Sequence, residues 1–328
     1  MPSTPDQRPA LPTKRLFRLR WLILGVAIWH VVITGAVFAV GRFQLFPARF
    51  YPSGLFAPDE IAYQSQCLEL GGILRSEGLV AWVTWPTQLH LRFYSLPPAV
   101  VSRWLSCNVL TVEPVNLIYY LGILLLVLKC GEAIFDYRSG LLAAGVVAAW
   151  PSFLLHTTQL LRDPLLILAV LVLVWSVVAA LRREVSLRPG LLLGMATAAA
   201  IVIIRIVRSP MWYLVWAAVG TAVLLLLLQA WREKRVAKGT IAFVVLLVAA
   251  VLVTPRLQPW FRHQQALRGT RINRREQVEQ LPIAGQITAT RRAFEVRLND
   301  QGNPIPAEEG SRIDSGVRLA GWSDIIRR

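Results

Sequence analysis

The chain has 328 residues, of which 55% are hydrophobic and only 16% are charged, and its mean hydropathy is +0.50. Soluble domains carry about 25% charged residues, so this composition argues against a soluble enzyme. The net charge of +16 would suit nucleic acid, but its placement favours another explanation. Basic residues crowd the N-terminus and the short connections 182–188 and 232–238, which is typical of cytoplasmic membrane loops. We therefore expect no nucleic-acid partner.

Seven stretches of the chain are free of charged residues and approach the roughly 17–25 residues that a membrane-spanning helix needs. They cover residues 21–41, 114–128, 139–161, 164–181, 189–204, 209–231 and 239–255. The first stretch is longer than the apolar part of a signal peptide, about 7–15 residues, so we interpret it as an uncleaved first span. The sequence predicts an all-α polytopic membrane protein with about seven transmembrane helices.

The positive-inside rule orients these spans. Residues 1–20 form a basic cytoplasmic N-terminus, and residues 21–255 form the transmembrane module. The first span delivers a long loop, residues 42–112, to the external face, and the seventh leaves the tail, residues 256–328, on the same side. Lys129 and Glu132 lie three residues apart at the cytoplasmic end of the second span, where their charges can neutralise each other.

The long external loop is predicted to be helical and to lie along the membrane surface. Residues 58–70 indicate one helix, ended by Gly71 and Gly72, and residues 96–110 indicate another. Several amphipathic side chains suit the headgroup layer: Trp82, Trp85, Phe93, Arg103 and Trp104.

Three cysteines are too few for a disulfide framework or a zinc cluster. Cys67 and Cys107 both belong to the external loop, where an oxidising compartment would let them pair. The alternative is that both are small apolar residues buried on loop helices. The sequence leaves both interpretations open.

The most pointed local sequence is the start of the first loop helix, where Asp59 and Glu60 are followed by Tyr63. Acidic residues in a first turn also complement the helix dipole, so a helix cap and a functional site are both open. His30, inside the first span, is interpreted as a packing residue, and His90 is given no role.

Further ionisable groups converge on the same predicted face of the membrane: His156, Arg162, Asp163, Arg205 and Arg208. Polar groups near membrane depth are costly and tend to line a cavity or meet a ligand. Each of them also has a simpler explanation, because an arginine can extend to the headgroups and an aspartate can cap a helix.

The order of these features resembles the GT-C membrane glycosyltransferases: an uncleaved first span, a long external loop with Pro58, Asp59, Glu60 and Tyr63, and then short-looped helices. Two further stretches agree, FDYRSGLLAA at 135–144 and LRDPLL at 161–166. The resemblance covers residues 15–255. It is to the branch that contains bacterial relatives of the protein mannosyltransferases and of the lipid A aminoarabinose transferase.

The resemblance implies an enzyme that acts on the external face of a bacterial cytoplasmic membrane. It would move a sugar from a polyprenyl-phosphate carrier to a lipid, glycan or protein acceptor, and membrane lipids would be its other partners. By match to the family's acidic loop motif, Asp59 would be the general base. Glu60 would orient Asp59, or the two carboxylates would hold a divalent cation such as Mg²⁺ or Mn²⁺.

The topology adds a role for the arginines. Arg205 or Arg208 would grip the donor phosphate, since arginine pairs with phosphate oxygens in bidentate fashion. The remaining candidates for substrate binding are Tyr63, His156, Arg162 and Asp163.

Two alternatives stay open beside the transferase. A transporter or flippase of polyprenyl lipids would place its site near mid-membrane on broken helices, whereas the ionisable groups here cluster at span ends and no internal repeat is present. A non-catalytic or degenerate membrane subunit is favoured by the lack of the further membrane helices that follow such a tail in the family. We accordingly expect a truncated form, in which residues beyond 260 pack poorly and residues 322–328 form an unfinished amphipathic helix.

Overall fold

The computed structural model describes residues 13–46, 50–56, 58–85, 87–101, 107–182, 185–234, 237–266, 296–298 and 304–306, with side chains from residue 20 to 256 except 58–62. Eleven α-helices lie in these ranges: α1 Thr13–Arg42, α2 Pro58–Ser76, α3 Gly78–Thr84, α4 Leu89–Val101, α5 Val109–Ile134, α6 Tyr137–Ala149, α7 Pro151–Thr157, α8 Asp163–Arg182, α9 Leu187–Val207, α10 Trp212–Glu233 and α11 Lys238–Ala266. A short 3-10 turn, Ser209–Met211, joins α9 to α10.

Six of these helices are long and apolar enough to cross a membrane, namely α1, α5, α8, α9, α10 and α11. The pair α6 and α7 brings the number to seven if the two are counted as one bent span. Only 17–39% of each apolar window is buried inside the protein, so most of this apolar surface faces outward, as lipid contact requires. The chain is a multi-pass membrane protein, and the predicted all-α polytopic fold is confirmed.

The third predicted span is bent rather than straight. The helix axis turns by 68° between α6 and α7. Pro151 has no N–H to continue the helical hydrogen bonds and disfavours a helical residue before it, and Trp150 accordingly has φ −70° and ψ 114°. With 13 residues, α6 rises about 20 Å, which is less than the roughly 30 Å of a bilayer core. It can cross only together with α7.

Glycines let two pairs of helices touch backbone to backbone. A Cβ on Gly131 of α5 would lie 2.5 Å from the Cα of Gly140 on α6. A Cβ on Gly190 of α9 would clash with the carbonyl oxygen of Gly239 on α11. Small residues at such crossings are typical of membrane helices, which associate through close packing.

The loop helices differ from their predicted bounds. Helix α2 continues through Gly71 and Gly72 to Ser76, because Gly71 serves as a close contact and not as a helix end. A Cβ on Gly71 would lie 3.4 Å from the backbone nitrogen of Ala99 in α4. The chain instead turns at Gly78, whose φ of +86° suits glycine.

The helix predicted at 96–110 is replaced by α4, which ends at Val101, and by the first turn of α5. Asn108 caps α5, since its side-chain oxygen accepts hydrogen bonds from the backbone N–H groups of Leu110 and Thr111. The prediction for Arg103 and Trp104 lies outside the described residues.

The loop helices have a buried interior of their own. Trp82 is buried, and its indole N–H donates to Ser95 Oγ at 2.8 Å, so its predicted place in the headgroup layer is wrong. Helix α4 packs against α2, α5 and α9 and so joins the loop helices to the bundle. At the opposite end of α5, Lys129 and Glu132 form the predicted ion pair, with an N–O distance of 2.8 Å.

The segment 265–328 forms a second unit. Its described strands, β1 Val296–Leu298 and β2 Pro304–Pro306, pair antiparallel with Arg297 opposite Ile305. The predictions of poor packing beyond residue 260 and of a helix at 322–328 fall outside the residues whose surroundings the structure describes.

Candidate functional site

Two connecting segments of the chain, the turn before α2 and the segment between α7 and α8, meet near α4 at one end of the bundle. Tyr94 of α4 places its hydroxyl oxygen 2.8 Å from Asn116 Oδ1 on α5 and 3.0 Å from the carbonyl oxygen of Leu161. The side chain of Gln159 donates to the carbonyl oxygen of Gly54 at 3.3 Å. The segment between α7 and α8 therefore touches both the loop helices and the turn that leads into α2.

The acidic motif opens α2 at this end of the molecule. Asp59 and Glu60 occupy the first turn of the helix, and their side chains lie outside the described residues. One turn later, Tyr63 is buried and meets the ring of His90 edge-on, with ring centroids 4.9 Å apart. The helix start that carries the two carboxylates is thus seated against α4 by a buried aromatic contact.

His90 is a site residue that the sequence analysis left without a role. It is 1% exposed, and its Nε2 atom has no hydrogen-bond partner in the described part of the chain. Burial lowers the pKa of His90 to about 3, and the positive charge of Arg162 acts in the same direction. The ring is therefore uncharged at neutral pH. Its i, i+4 spacing from Tyr94 is the one sequence signal that could have placed it on this face.

A cluster of buried polar side chains surrounds Tyr94. Asn116 Nδ2, the Tyr119 hydroxyl and Gln159 Oε1 have no hydrogen-bond partner among the described residues. Buried polar atoms are costly to leave without hydrogen bonds, so these groups are suited to bind ordered water or the hydroxyl groups of a ligand.

Asp163, in the first turn of α8, and Arg208, at the end of α9, form an exposed ion pair. Arg208 Nη1 lies 3.4 Å from Asp163 Oδ1, and the two side chains are 47% and 39% exposed. An exposed ion pair of this kind contributes about 0–1 kcal/mol, so an anion can compete for the arginine at little cost.

Arg205 is held at the turn between α9 and α10. Its guanidinium carbon lies 5.3 Å from the ring centroid of Trp212, and its Nη1 donates to the carbonyl oxygen of Ser209 at 3.1 Å. The two arginines that were predicted to share one task therefore have different surroundings.

His156 is exposed and is tied to its own helix. Its Nδ1 lies 2.7 Å from the carbonyl oxygen of Ser152, and its ring meets that of Phe56 at a centroid distance of 6.4 Å. Phe56 belongs to the segment just before α2, so His156 lies near the base of the long loop.

A cavity of about 570 Å³ opens between the end of α1, the turn at 51–53, α2 and the cap of α5. Its lining residues are Phe38, Arg42, Tyr51, Pro52, Ser53, Gln64 and Asn108. Gln64 donates from its side-chain amide to the carbonyl oxygen of Cys107 across one wall. Glu60 occupies the helix position one turn before Gln64, so the cavity and the acidic motif adjoin. Arg42 carries no sequence signal of a site residue, because it directly follows the apolar first span.

Deeper in the bundle, His30 forms a buried polar network. Its Nδ1 lies 2.7 Å from Glu113 Oε1, and its Nε2 lies 3.0 Å from Thr157 Oγ1. Thr34 donates to the other carboxylate oxygen of Glu113 at 2.8 Å. His30 is buried against Tyr120, as expected of a packing residue, and its unforeseen polar partners join α1 to α5 and to the end of α7.

The predicted divalent cation would be held by Asp59 and Glu60, whose side chains lie outside the described residues. Within them there is no group of three or more His, Cys, Asp or Glu side chains that could hold a metal ion. Asp163, the one predicted carboxylate whose side chain is described, faces Arg208. Mg²⁺ and Mn²⁺ take several oxygen ligands, and a cation at Asp59 and Glu60 stays a prediction from the sequence.

Comparison of the chain with protein-family models, with curated proteins and with solved structures finds no match. The resemblance to the GT-C glycosyltransferases therefore stays a prediction from the sequence motifs.

Proposed function

We propose that this protein is a membrane glycosyltransferase that moves a sugar from a polyprenyl-phosphate carrier to a lipid, glycan or protein acceptor. The reaction takes place at the external face of a bacterial cytoplasmic membrane, the face to which the positive-inside rule assigns the long loop. One observation carries the proposal. Three features lie at one end of the bundle: the helix start with Asp59 and Glu60, the contact region of His90 and Arg162, and the ion pair of Asp163 and Arg208.

The chemistry divides between these groups. The Asp59 carboxylate accepts the proton of the acceptor hydroxyl while that oxygen attacks the anomeric carbon of the sugar. The bond between the anomeric carbon and the phosphate oxygen breaks, and polyprenyl phosphate leaves. Arg208 stabilises the departing phosphate, because its weak, exposed pairing with Asp163 is readily exchanged for a phosphate oxygen.

The activity is tested with purified protein and a labelled polyprenyl-phosphate sugar. Asp59→Asn should lower transfer about 10²–10⁴-fold, the usual effect of removing a general base, while donor binding persists. The matched control is Glu77→Gln, which neutralises an exposed carboxylate of the same loop that makes no side-chain cap hydrogen bond. Equal rates for Asp59→Asn and the control would show that Asp59 is only a helix cap.

The orientation is tested by labelling introduced cysteines in a chain that lacks the three native ones. Val80→Cys in the long loop should react with an impermeant maleimide on intact cells. Phe135→Cys, equally exposed but in the turn between α5 and α6, should react only after lysis. The reverse pattern would place the acidic motif in the cytoplasm and overturn the proposal.

One observation favours a second candidate, a transporter of polyprenyl lipids. His30 and Glu113 form an ionisable pair buried within the bundle, and Thr157, which contacts His30, ends the broken helix pair α6 and α7. Ionisable groups at such breaks mark transport sites in many membrane proteins. In proteoliposomes, transport would require Glu113, so Glu113→Gln would abolish carrier flux. The transferase proposal expects the same variant to retain sugar transfer.

A further inference from the structure

Cys67 and Cys107 meet in the interior of the loop helices. Cys67 lies in the middle of α2, and Cys107 directly precedes Asn108, the cap of α5. Both side chains are fully buried, and their sulfur atoms are 3.0 Å apart. A disulfide bond has a sulfur–sulfur length of about 2.05 Å, so a relative movement of about 1 Å would close one.

The two thiols gain little from staying reduced. Cys107 donates to the sulfur of Cys67, and Cys67 donates to the carbonyl oxygen of Tyr94 at 3.2 Å. Thiols are weak hydrogen-bond donors, so the loss of both bonds on oxidation costs less than the loss of hydroxyl bonds would.

We propose that Cys67 and Cys107 are joined by a disulfide bond that anchors the first loop helix to the start of α5. This inference rests on the external orientation given in the proposed function, because disulfides form in oxidising compartments and are rare in the cytoplasm. The crosslink would lie behind the wall formed by Gln64 and Asn108, and so would hold the cavity next to the acidic motif in shape.

The oxidation occurs while the loop folds. The hydrogen bond from Cys107, together with burial, raises the pKa of the Cys67 thiol, so the packed pair is a poor nucleophile. Before α2 and α4 close over it, a thiolate of the pair attacks the disulfide of an oxidised dithiol protein in the same compartment. The second thiolate then displaces that protein from the mixed disulfide. Two thiols lose two protons and two electrons, and the partner leaves as a dithiol.

The third cysteine provides an internal control. Cys130 lies at the far end of α5 from Cys107, on the side predicted to face the cytoplasm. In the experiment, cells expressing the full chain are quenched in acid, denatured and alkylated with a maleimide of large mass. Each free thiol then adds one shift on a gel.

The wild-type chain should show one shift without reductant and three after reduction. Cys67→Ser should show two shifts under both conditions, and Cys130→Ser should show none until it is reduced. Three shifts in the unreduced wild-type chain would overturn the disulfide. The labelling of Val80→Cys decides separately on orientation: three shifts with an external Val80→Cys would overturn the disulfide and leave the proposed function standing. One shift with an internal Val80→Cys would support the disulfide and overturn the proposed function.

Discussion

His90 makes the stability of the loop helices depend on pH in a way that one substitution should remove. The ring is buried, and the groups that face it are the tyrosine rings of Tyr63 and Tyr94 and the positive charge of Arg162. Burial is the larger cause of its lowered pKa, which is about 3 against an ordinary value of 6.5, and the charge of Arg162 is the smaller one. In the unfolded chain the ring returns to water and to its ordinary pKa.

The sign follows from proton binding. Between pH 3 and 6.5 the unfolded chain binds a proton at His90 that the folded chain does not, so the free energy of unfolding rises with pH and levels off above 6.5. Each pH unit in this window corresponds to about 1.4 kcal/mol. Acidification from pH 7 to pH 5 should therefore remove about 2 kcal/mol of stability through this one residue.

The measurement is thermal unfolding in detergent at pH 5, 6 and 7, followed by tryptophan fluorescence. Since other groups also titrate, the quantity of interest is the difference between variants. His90→Asn should unfold with a shallower pH dependence than the wild-type chain. Ser95→Ala is the matched control, because it removes the partner of the Trp82 indole and should lower stability equally at every pH. The same pH dependence in wild-type and His90→Asn would refute the reasoning.

Three further predictions concern packing, the buried pair and the donor site. Gly190→Ala should destabilise the fold by about 1–3 kcal/mol through its clash with Gly239, whereas Gly220→Ala, which meets open space, should not; equal thermal shifts would contradict this. Glu113→Leu should lower the free energy of unfolding by about 3–5 kcal/mol, because it leaves His30 and Thr34 without their partner, and Glu113→Gln should lower it less. A larger loss of stability for Glu113→Gln in the same assay would contradict this. Arg208→Ala should lower kcat/KM for the donor, because Arg208 stabilises the departing phosphate, while stability changes by less than about 1 kcal/mol; an unaltered kcat/KM would remove Arg208 from the site.

Features that depend on neighbours along the chain could be predicted. Charge-free stretches located the six long apolar helices, because exclusion of charge from a bilayer is a property of each segment alone. The ion pair of Lys129 and Glu132 follows from helical spacing. Gly71 was misread because a glycine that ends a helix and a glycine that lets another helix approach look alike in sequence. Only the packing of α4 against α2 distinguishes the two uses.

The same distinction between local features and features that depend on packing applies to the candidate site. The acidic motif is local and could be recognised, and its side chains fall outside the described residues. The roles of His90 and Gln159 depend on α4 and the α7–α8 segment coming together, which no local pattern encodes. Arg205 and Arg208 were interchangeable in sequence. In the structure they differ, because Arg205 lies beside the ring of Trp212 and Arg208 lies beside Asp163.

The buried pair of Glu113 and His30 escapes a pattern based on charge-free stretches. Such a pattern starts the second span after the last charged residue, whereas the cap at Asn108 starts α5 at Val109 and carries Glu113 into the bundle. A carboxylate at that position is costly unless a partner meets it, and His30 lies 83 residues away in sequence. A histidine within a span and a carboxylate just before another are each unremarkable alone. The hydrogen bond between them offsets the cost of burying each side chain. A lone ionisable residue in an apolar helix is therefore best interpreted by seeking its partner on another helix.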